Sequence, residues 1–109
     1  MALFSGIKTA KNGTYYISGQ LPDDVAAPLE EQAAQALAHV EALIKEAGYS
    51  KESMLRIDLF TTDIEHIDQI NAAYERFVSD IEVKPTRNAF GVTGLVRGAA
   101  IEANCIGEA

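Results

Sequence analysis

The beginning of the fold is indicated by residues 7–18, which read Ile7-Lys8-Thr9-Ala10-Lys11-Asn12-Gly13-Thr14-Tyr15-Tyr16-Ile17-Ser18. Two runs that favour β-strands flank the pair Asn12-Gly13, and Asn-Gly supplies the positive φ angles of a tight hairpin turn. The sequence therefore predicts an antiparallel hairpin. The polar and turn-forming residues from Gly19 to Asp24 are expected to end its second strand.

Beyond the hairpin, the pattern predicts a helix from about Pro28 to Ala47. Proline suits the first helical turn, and Glu30 and Glu31 favour the positive end of the helix dipole. Gly48 is a natural stop. The apolar residues at helical spacing are Ala33, Leu37, Val40, Ile44 and Ala47.

The second half of the chain predicts a strand, a helix and two more strands. The run from Met54 to Thr61 alternates apolar and polar residues as a strand does. Thr62 and Glu65 have the spacing of a capping box that opens a second helix. Pro85 ends the connection after that helix, and two strands follow, roughly Thr86–Thr93 and Ala99–Ile106.

The predicted order is ββαβαββ, an α+β fold with both helices on one face of a mixed sheet. We treat residues 1–109 as a single domain, because no internal repeat or linker interrupts the chain. If Phe90 and Cys105 face the helices, strand alternation would place Arg87 and Glu102 on the face away from the helices. A hairpin between the last two strands, centred between Val96 and Arg97, would put them about four rungs, or roughly 14 Å, apart. Such a face of small and polar residues suits a pocket or a subunit contact.

Composition excludes several classes of protein. Nine basic against 16 acidic residues give a net charge of −7, which argues against affinity built on nucleic-acid phosphates. We expect no membrane span and no signal peptide, because the chain has no long apolar run and no charged leader. The single cysteine, Cys105, cannot form an internal disulfide, which fits a reducing, cytoplasmic setting.

Most residues of types that can act in catalysis lack the partner residues or motifs that catalysis requires. His39 and His66 have no second histidine or cysteine at ligand spacing, so no metal site is expected. Cys105 is predicted on the core side of a strand as a buried structural thiol. Ser5 and Ser18 lack a nucleophile motif.

Arg87 and Glu102 are the exceptions. A guanidinium can bind a carboxylate through two parallel hydrogen bonds, and a carboxylate on the same face could serve as a general base. The alternatives are an arginine exposed or salt-bridged at a strand end, and a glutamate that merely pairs with an arginine. Spacing alone favours the exposed or salt-bridged arginine, and a carboxylate on the same predicted face strengthens the case for a binding site.

Several motifs together resemble the RidA family, also called the YjgF/YER057c/UK114 family. They fall in family order over nearly the whole chain, and their combination is specific although each alone is weak. The matching stretches are 16–22 (Tyr16 to Pro22), 31–37 (Glu31 to Leu37), 58–63 (Asp58 to Asp63), 71–74 (Asn71 to Tyr74), 84–89 (Lys84 to Ala89) and 101–103 (Ile101 to Ala103).

The resemblance implies a chorismate-mutase-like homotrimer with pockets in the clefts between subunits. It also implies a cofactor-free deaminase that hydrolyses enamine or imine intermediates of the 2-aminoacrylate and 2-iminobutanoate type to 2-oxo acids and ammonia. Arg87 matches the arginine that binds the substrate carboxylate, and Glu102 matches the glutamate that positions the attacking water. Phe4, Asn71 and Ala89 are the further substrate-binding positions implied.

Three departures from the family pattern bear on the pocket. Phe4 occupies the place of a tyrosine and so lacks a phenolic hydroxyl. Ala89 stands where many members have a cysteine, and the loop between Pro22 and Leu29 is short.

The sequence and the family resemblance lead to three hypotheses about function. The leading hypothesis is the enamine/imine deaminase. The second is a non-catalytic regulator that binds a small metabolite in the same cleft. The third, a ribonuclease or translation inhibitor, is a label that this family carries. The acidic charge and the lack of a basic, aromatic platform count against it.

Overall fold

The computed structural model describes residues 2–109. A five-stranded sheet has the spatial order β1-β2-β5-β3-β4, and two helices pack against it. No helix in the described range is long and apolar enough to cross a membrane. The bounds are β1 Ile7–Thr9, β2 Thr14–Gln20, α1 Leu29–Glu46, β3 Met54–Thr61, α2 Ile67–Val78, β4 Thr86–Gly91 and β5 Ile101–Glu108.

The N-terminal hairpin is confirmed, with Lys8 opposite Tyr16 in an antiparallel pair. Its turn differs from the expected one, because only Gly13 has a positive φ, of 96°. Asn12 contributes through its side chain instead, since its Oδ1 accepts a hydrogen bond from the backbone N–H of Thr14 at 3.0 Å. The second strand also continues through Gly19 to Gln20 rather than ending at the glycine.

Both helices lie on one face of the sheet, as predicted, and the hydrophobic core lies between the two layers. The first helix and the strand Met54–Thr61 have nearly the predicted bounds. The side chains that form the centre of the core alternate along the inner strands and recur at helical spacing in α1. They are Tyr15, Ile17, Ala33, Leu37, Val40, Ile44, Ile57, Leu59, Ile101, Ala103 and Cys105.

The predicted capping box is wrong. Residues 64–66 form a short 3₁₀ turn before α2, and no side chain caps either element. The hydroxyl of the buried Thr61 organises this junction instead. It donates to the carbonyl of Ala100 at 2.8 Å and accepts the N–H of Asp63 at 3.1 Å.

The predicted hairpin between the last two strands is also wrong. β4 lies parallel to β3 at the sheet edge, and β3 separates it from β5. Arg87 pairs with Ile57, whose side chain is buried beneath the helices, and residues paired across strands point to the same face. Arg87 therefore lies on the helix-bearing face. Glu102, paired with Phe60, lies on the opposite face.

The face away from the helices is more apolar than expected. Phe60 and Phe90 are stacked there, with ring centroids 5.4 Å apart, and Phe90 is 47% exposed. Tyr16 and Leu55 are also large exposed apolar residues, 52% and 50% accessible. The prediction that Phe90 faces the helices is wrong. As an edge-strand residue it packs across the sheet surface onto Phe60 instead.

Candidate functional site

Glu102 lies on β5, which has hydrogen-bonded neighbours on both sides. Opposite it, β2 contains one extra residue: the pairing passes from Ile17–Cys105 to Gln20–Ala103. An advance of three residues along β2 therefore matches an advance of two residues along β5. This mismatch is a β-bulge at Ser18 and Gly19. Bulges locally disrupt the ladder and often re-aim side chains beside active sites.

Gly19 gives Glu102 the space that its side chain occupies. A Cβ added at Gly19 would overlap the Glu102 carboxyl group, so the close approach requires a residue without a side chain. The sequence offered a signal for this contact, because an isolated glycine inside a strand pattern often marks a bulge or a close approach. Gly19 had been interpreted only as a strand end.

A cleft of about 370 Å³ opens beside the Glu102 carboxylate. Apolar side chains form most of its walls, and Ser18 and Glu102 are its polar members. The lining residues are Phe4, Ser18, Gly19, Leu21, Val96 and Glu102. The cleft can hold a small organic molecule next to a carboxylate.

A second cleft, of about 380 Å³, adjoins the first and shares Phe4, Ser18, Gly19 and Leu21 with it. His39 and Arg97 line its far side. His39 Nε2 lies 2.8 Å from a carboxylate oxygen of Asp23, so this imidazole is hydrogen-bonded to a surface carboxylate.

Arg97 adopts a backbone conformation that L-residues avoid. Its φ of 63° and ψ of 15° lie in the left-handed region, and within residues 2–109 it is the one non-glycine residue with positive φ. Gly98 follows with a φ of 74°, and Ala99 donates its N–H to the carbonyl of Val96 at 3.3 Å. This tight turn leads directly into β5.

Arg87 belongs to a separate surface, formed by β4 and α2. Its Nη1 donates a hydrogen bond to Oδ1 of Asn71, and its guanidinium carbon lies 5.1 Å from the centroid of the Tyr74 ring. Ala89, two residues along β4, is half-buried against the core on the same face. Arg87, Asn71, Tyr74 and Ala89 are called the arginine surface below.

Tyr74 is half-buried, and its hydroxyl is buried without a hydrogen-bond partner among the described residues. Burial raises the pKa of this hydroxyl, and the positive charge of Arg87 acts in the opposite direction. Tyr74 ends the motif 71–74, and the family resemblance implies no role for it. Its spacing of three residues from Asn71 was the available signal, because residues three apart on a helix share a face.

The predicted site residues thus form two groups. Phe4 and Glu102 line one cleft, while Arg87, Asn71 and Ala89 lie together on the arginine surface. Strand register places Arg87 and Glu102 about 10 Å apart along the strands and about 10 Å across them. Because they also occupy opposite faces, one small molecule does not reach both within a chain.

The other candidate residues have structural surroundings. Cys105 is buried, as expected, and desolvation raises its pKa to about 12, so its thiol stays protonated at neutral pH. His66 Nδ1 lies 2.7 Å from an oxygen of Asp63. In the range 2–109, no three His, Cys, Asp or Glu side chains are grouped so that they could hold a metal ion.

The two-helix layer on a mixed five-stranded sheet places the chain in the YjgF-like class of α+β proteins. The model of the family described as Endoribonuclease L-PSP matches residues 2–109. The chain belongs to this family, and the resemblance to RidA proteins is confirmed.

Curated relatives agree with this assignment. A "RutC family protein" of Aquifex aeolicus is 33% identical over 96 residues, which cover 84% of this chain and 77% of the relative. The "Putative regulator AldR" of Lactococcus lactis is 34% identical, covering 89% and 80% of the two chains. The "Putative reactive intermediate deaminase TdcF" of Escherichia coli is 28% identical, covering 84% and 75%.

Solved structures share the fold over the whole chain. YyfA from Yersinia pestis, a member of the Rid protein family, matches with a TM-score of 0.91 and 28% identity, covering 100% of this chain and 90% of the other. The crystal structure of E. coli TdcF with bound serine matches with a TM-score of 0.90 and 23% identity, with the same coverage.

Proposed function

We propose that this protein hydrolyses enamine or imine intermediates of the 2-aminoacrylate and 2-iminobutanoate type to 2-oxo acids and ammonia. The family includes a relative named as a reactive intermediate deaminase, which supports the class of reaction. The assignment to this substrate rests on the chemistry of Arg87 and Glu102.

The observation that carries the proposal is that Arg87 keeps its charge available. Within the described residues it forms no ion pair, and its partners, the Asn71 amide and the Tyr74 ring, are neutral. By contrast, Arg76 lies 2.8 Å from a Glu30 oxygen. Asn71 uses one N–H of Nη1, so Arg87 retains donors for two parallel hydrogen bonds to a substrate carboxylate.

The separation of Arg87 from Glu102 favours a site completed by a second copy of the chain. The arginine surface of one subunit would meet the Glu102 cleft of its neighbour, as the clefts between subunits in this family imply. The exposed apolar side chains of the open sheet face supply area for such contacts. We propose a homotrimer on this basis.

In the proposed reaction, Arg87 binds the substrate carboxylate and sets the orientation of the adjacent C=N group. A water held by Glu102 attacks the imine carbon as Glu102 accepts its proton and passes it to the imine nitrogen, which gives a carbinolamine. Glu102 then takes the hydroxyl proton of the carbinolamine and passes it to the amine nitrogen, so that the C–N bond breaks, ammonia leaves and the C=O bond forms. Water and imine give 2-oxo acid and ammonia with no net oxidation, so the scheme needs no cofactor.

The first test adds the protein to a pyridoxal-phosphate dehydratase reaction and follows decay of the released imine. We expect wild type to accelerate the decay, and Arg87→Ala and Glu102→Gln each to remove most of that acceleration. Arg76→Gln is the matched control, because it removes an arginine on the helix layer away from the arginine surface. Equal acceleration by wild type and Arg87→Ala would refute the mechanism.

The second test asks whether the two groups belong to different subunits. Arg87→Ala and Glu102→Gln chains are unfolded together in equal amounts and refolded. If the site lies between subunits, random mixing restores about a quarter of wild-type activity, because an interface needs the intact arginine of one chain and the intact glutamate of its neighbour. No recovery in mixed assemblies would place both residues in one chain's site.

The relative named as a regulator favours a second candidate, a metabolite-binding regulator that uses the same groups without turnover. Binding of pyruvate or 2-oxobutanoate, with no acceleration of imine decay, would favour it. RNA cleavage by highly purified protein, abolished by Glu102→Gln, would instead favour the nuclease activity in the family's description.

A further inference from the structure

The guanidinium of Arg87 has two restraints that differ in kind. Asn71 Oδ1 accepts a hydrogen bond from Nη1 of the group, and Cζ of the group lies over the Tyr74 ring, 5.1 Å from the ring centroid. Both restraining residues project from the same side of α2, three positions apart. Both contacts are therefore made by one rigid element.

The contact with the ring face has a specific advantage for ligand binding. A carboxylate partner would occupy the N–H donors of Arg87 and compete with a bound anion, whereas the face of an aromatic ring attracts the positive charge and leaves donors of the guanidinium free for a ligand. A hydrogen bond to Asn71 alone would also allow the group to swivel about that bond. The ring limits this motion, because an exposed arginine otherwise samples many rotamers.

We propose that Tyr74 is a positioning residue for Arg87, whose ring face orients the guanidinium toward a substrate carboxylate. The inference rests on the proposed function for the identity of the ligand. The position of Arg87 itself is a property of the free protein, and it can be measured without substrate.

The unpartnered hydroxyl of Tyr74 makes a matched pair of variants possible. Tyr74→Phe removes a buried oxygen that has no partner among the described residues and keeps the aromatic face. Tyr74→Leu removes the face and keeps an apolar side chain. If the ring positions Arg87, the two variants differ in ligand binding. Tyr49→Leu is the control for general loss of an aromatic stack, since Tyr49 stacks on Tyr15 at a centroid distance of 5.0 Å.

The first measurement is calorimetric affinity for 2-oxobutanoate, together with KM and kcat for the imine. We expect Tyr74→Leu to weaken binding and raise KM by roughly five- to thirtyfold, in line with a cation–π contact, and to change kcat less. Tyr74→Phe and Tyr49→Leu should stay within about twofold of wild type. In an Arg87→Ala background, Tyr74→Leu should have no further effect.

The second measurement is the NMR signal of the Arg87 Nε–Hε group in the free protein, which an adjacent ring shifts. We expect Tyr74→Leu to remove that shift and Tyr74→Phe to keep it. An unchanged signal or affinity in Tyr74→Leu, or an equal loss in Tyr74→Phe, would overturn the role of the ring. If wild type neither turns over the imine nor binds the 2-oxo acid, the proposed function fails, while the NMR comparison still decides whether Tyr74 positions Arg87.

Discussion

Strands β4 and β5 each carry one half of the candidate site, and they differ in how firmly the fold holds them. β5 pairs with β2 on one side and β3 on the other, and its residues alternate strictly between buried and half-exposed. β4 pairs only with β3 and is largely exposed. Glu102 is thus held by the sheet itself, whereas Arg87 depends on side chains from α2. The proposed reaction therefore combines a carboxylate positioned by the sheet, Glu102, with a cation positioned by a helix, Arg87.

The largest difference between the two regions should be seen in stability. Ile101→Ala in β5 removes a fully buried side chain and should lower the free energy of unfolding by about 3 kcal/mol. Phe90→Ala on β4 removes a half-exposed ring and should cost about 1 kcal/mol or less. Urea denaturation at one protein concentration measures both. Equal losses would mean that the edge strand is held as firmly as the centre.

A second test displaces the Glu102 carboxylate by a substitution at the neighbouring Gly19. Gly19→Ala places a methyl group where the Glu102 side chain lies, and a shift of about 1 Å in a reacting group can lower kcat up to a hundredfold. Steady-state kinetics on the imine measures the effect. Gly94→Ala is the control, because nothing lies within 4 Å of its added Cβ. Unchanged kcat in Gly19→Ala would show that Glu102 needs no fixed position.

A smaller effect is expected in the turn that leads into β5. Arg97→Asn should stabilise the protein by about 0.5 kcal/mol, because asparagine tolerates the left-handed conformation better than arginine does. Arg97→Ala also removes the guanidinium but lacks that preference. Thermal unfolding of the two variants separates the contributions. Equal stability of the Asn and Ala variants would show that backbone strain is absent.

The smallest effect concerns the entry to α2, the helix that carries Asn71 and Tyr74. The hydrogen bond from His66 to Asp63 raises the pKa of His66 above 6.5. The pair therefore stabilises the fold fully below that value and loses its contribution as pH rises through the raised pKa. NMR titration should show the His66 pKa falling toward 6.5 in Asp63→Asn. No change in that variant would contradict the assigned cause.

The sequence was sufficient where a local turn signal or one-sided burial enforces a pattern. The first hairpin follows from its Asn-Gly turn, and the two helices, β3 and the outward position of Glu102 follow from periodicities that burial makes strict. Arg87 was assigned to the wrong face, because Phe90 looked like a core residue and the parallel pairing of β4 with β3 leaves no local signal. The turn sequence between Gly94 and Gly98 suggested a hairpin, yet the chain crosses over β3 there.

For the candidate site, the sequence proposes residue types and does not predict how they are arranged. Family motifs named Arg87, Glu102, Asn71, Phe4 and Ala89, and their catalytic and binding roles stay predictions. Their division between two faces depends on strand order, which no single stretch of sequence encodes. The support that Tyr74 and Gly19 provide became visible only when contacts across the fold were known.

The contact between Gly19 and Glu102 also constrains how sequences of this fold can change over time. A methyl group at position 19 becomes sterically acceptable once position 102 carries a short side chain, so the two positions are expected to vary together. A relative with alanine at 19 is then a candidate for having lost the carboxylate as well. The residue at position 19 takes no part in the reaction, yet its identity would indicate whether the cleft beside β5 retains the carboxylate at position 102.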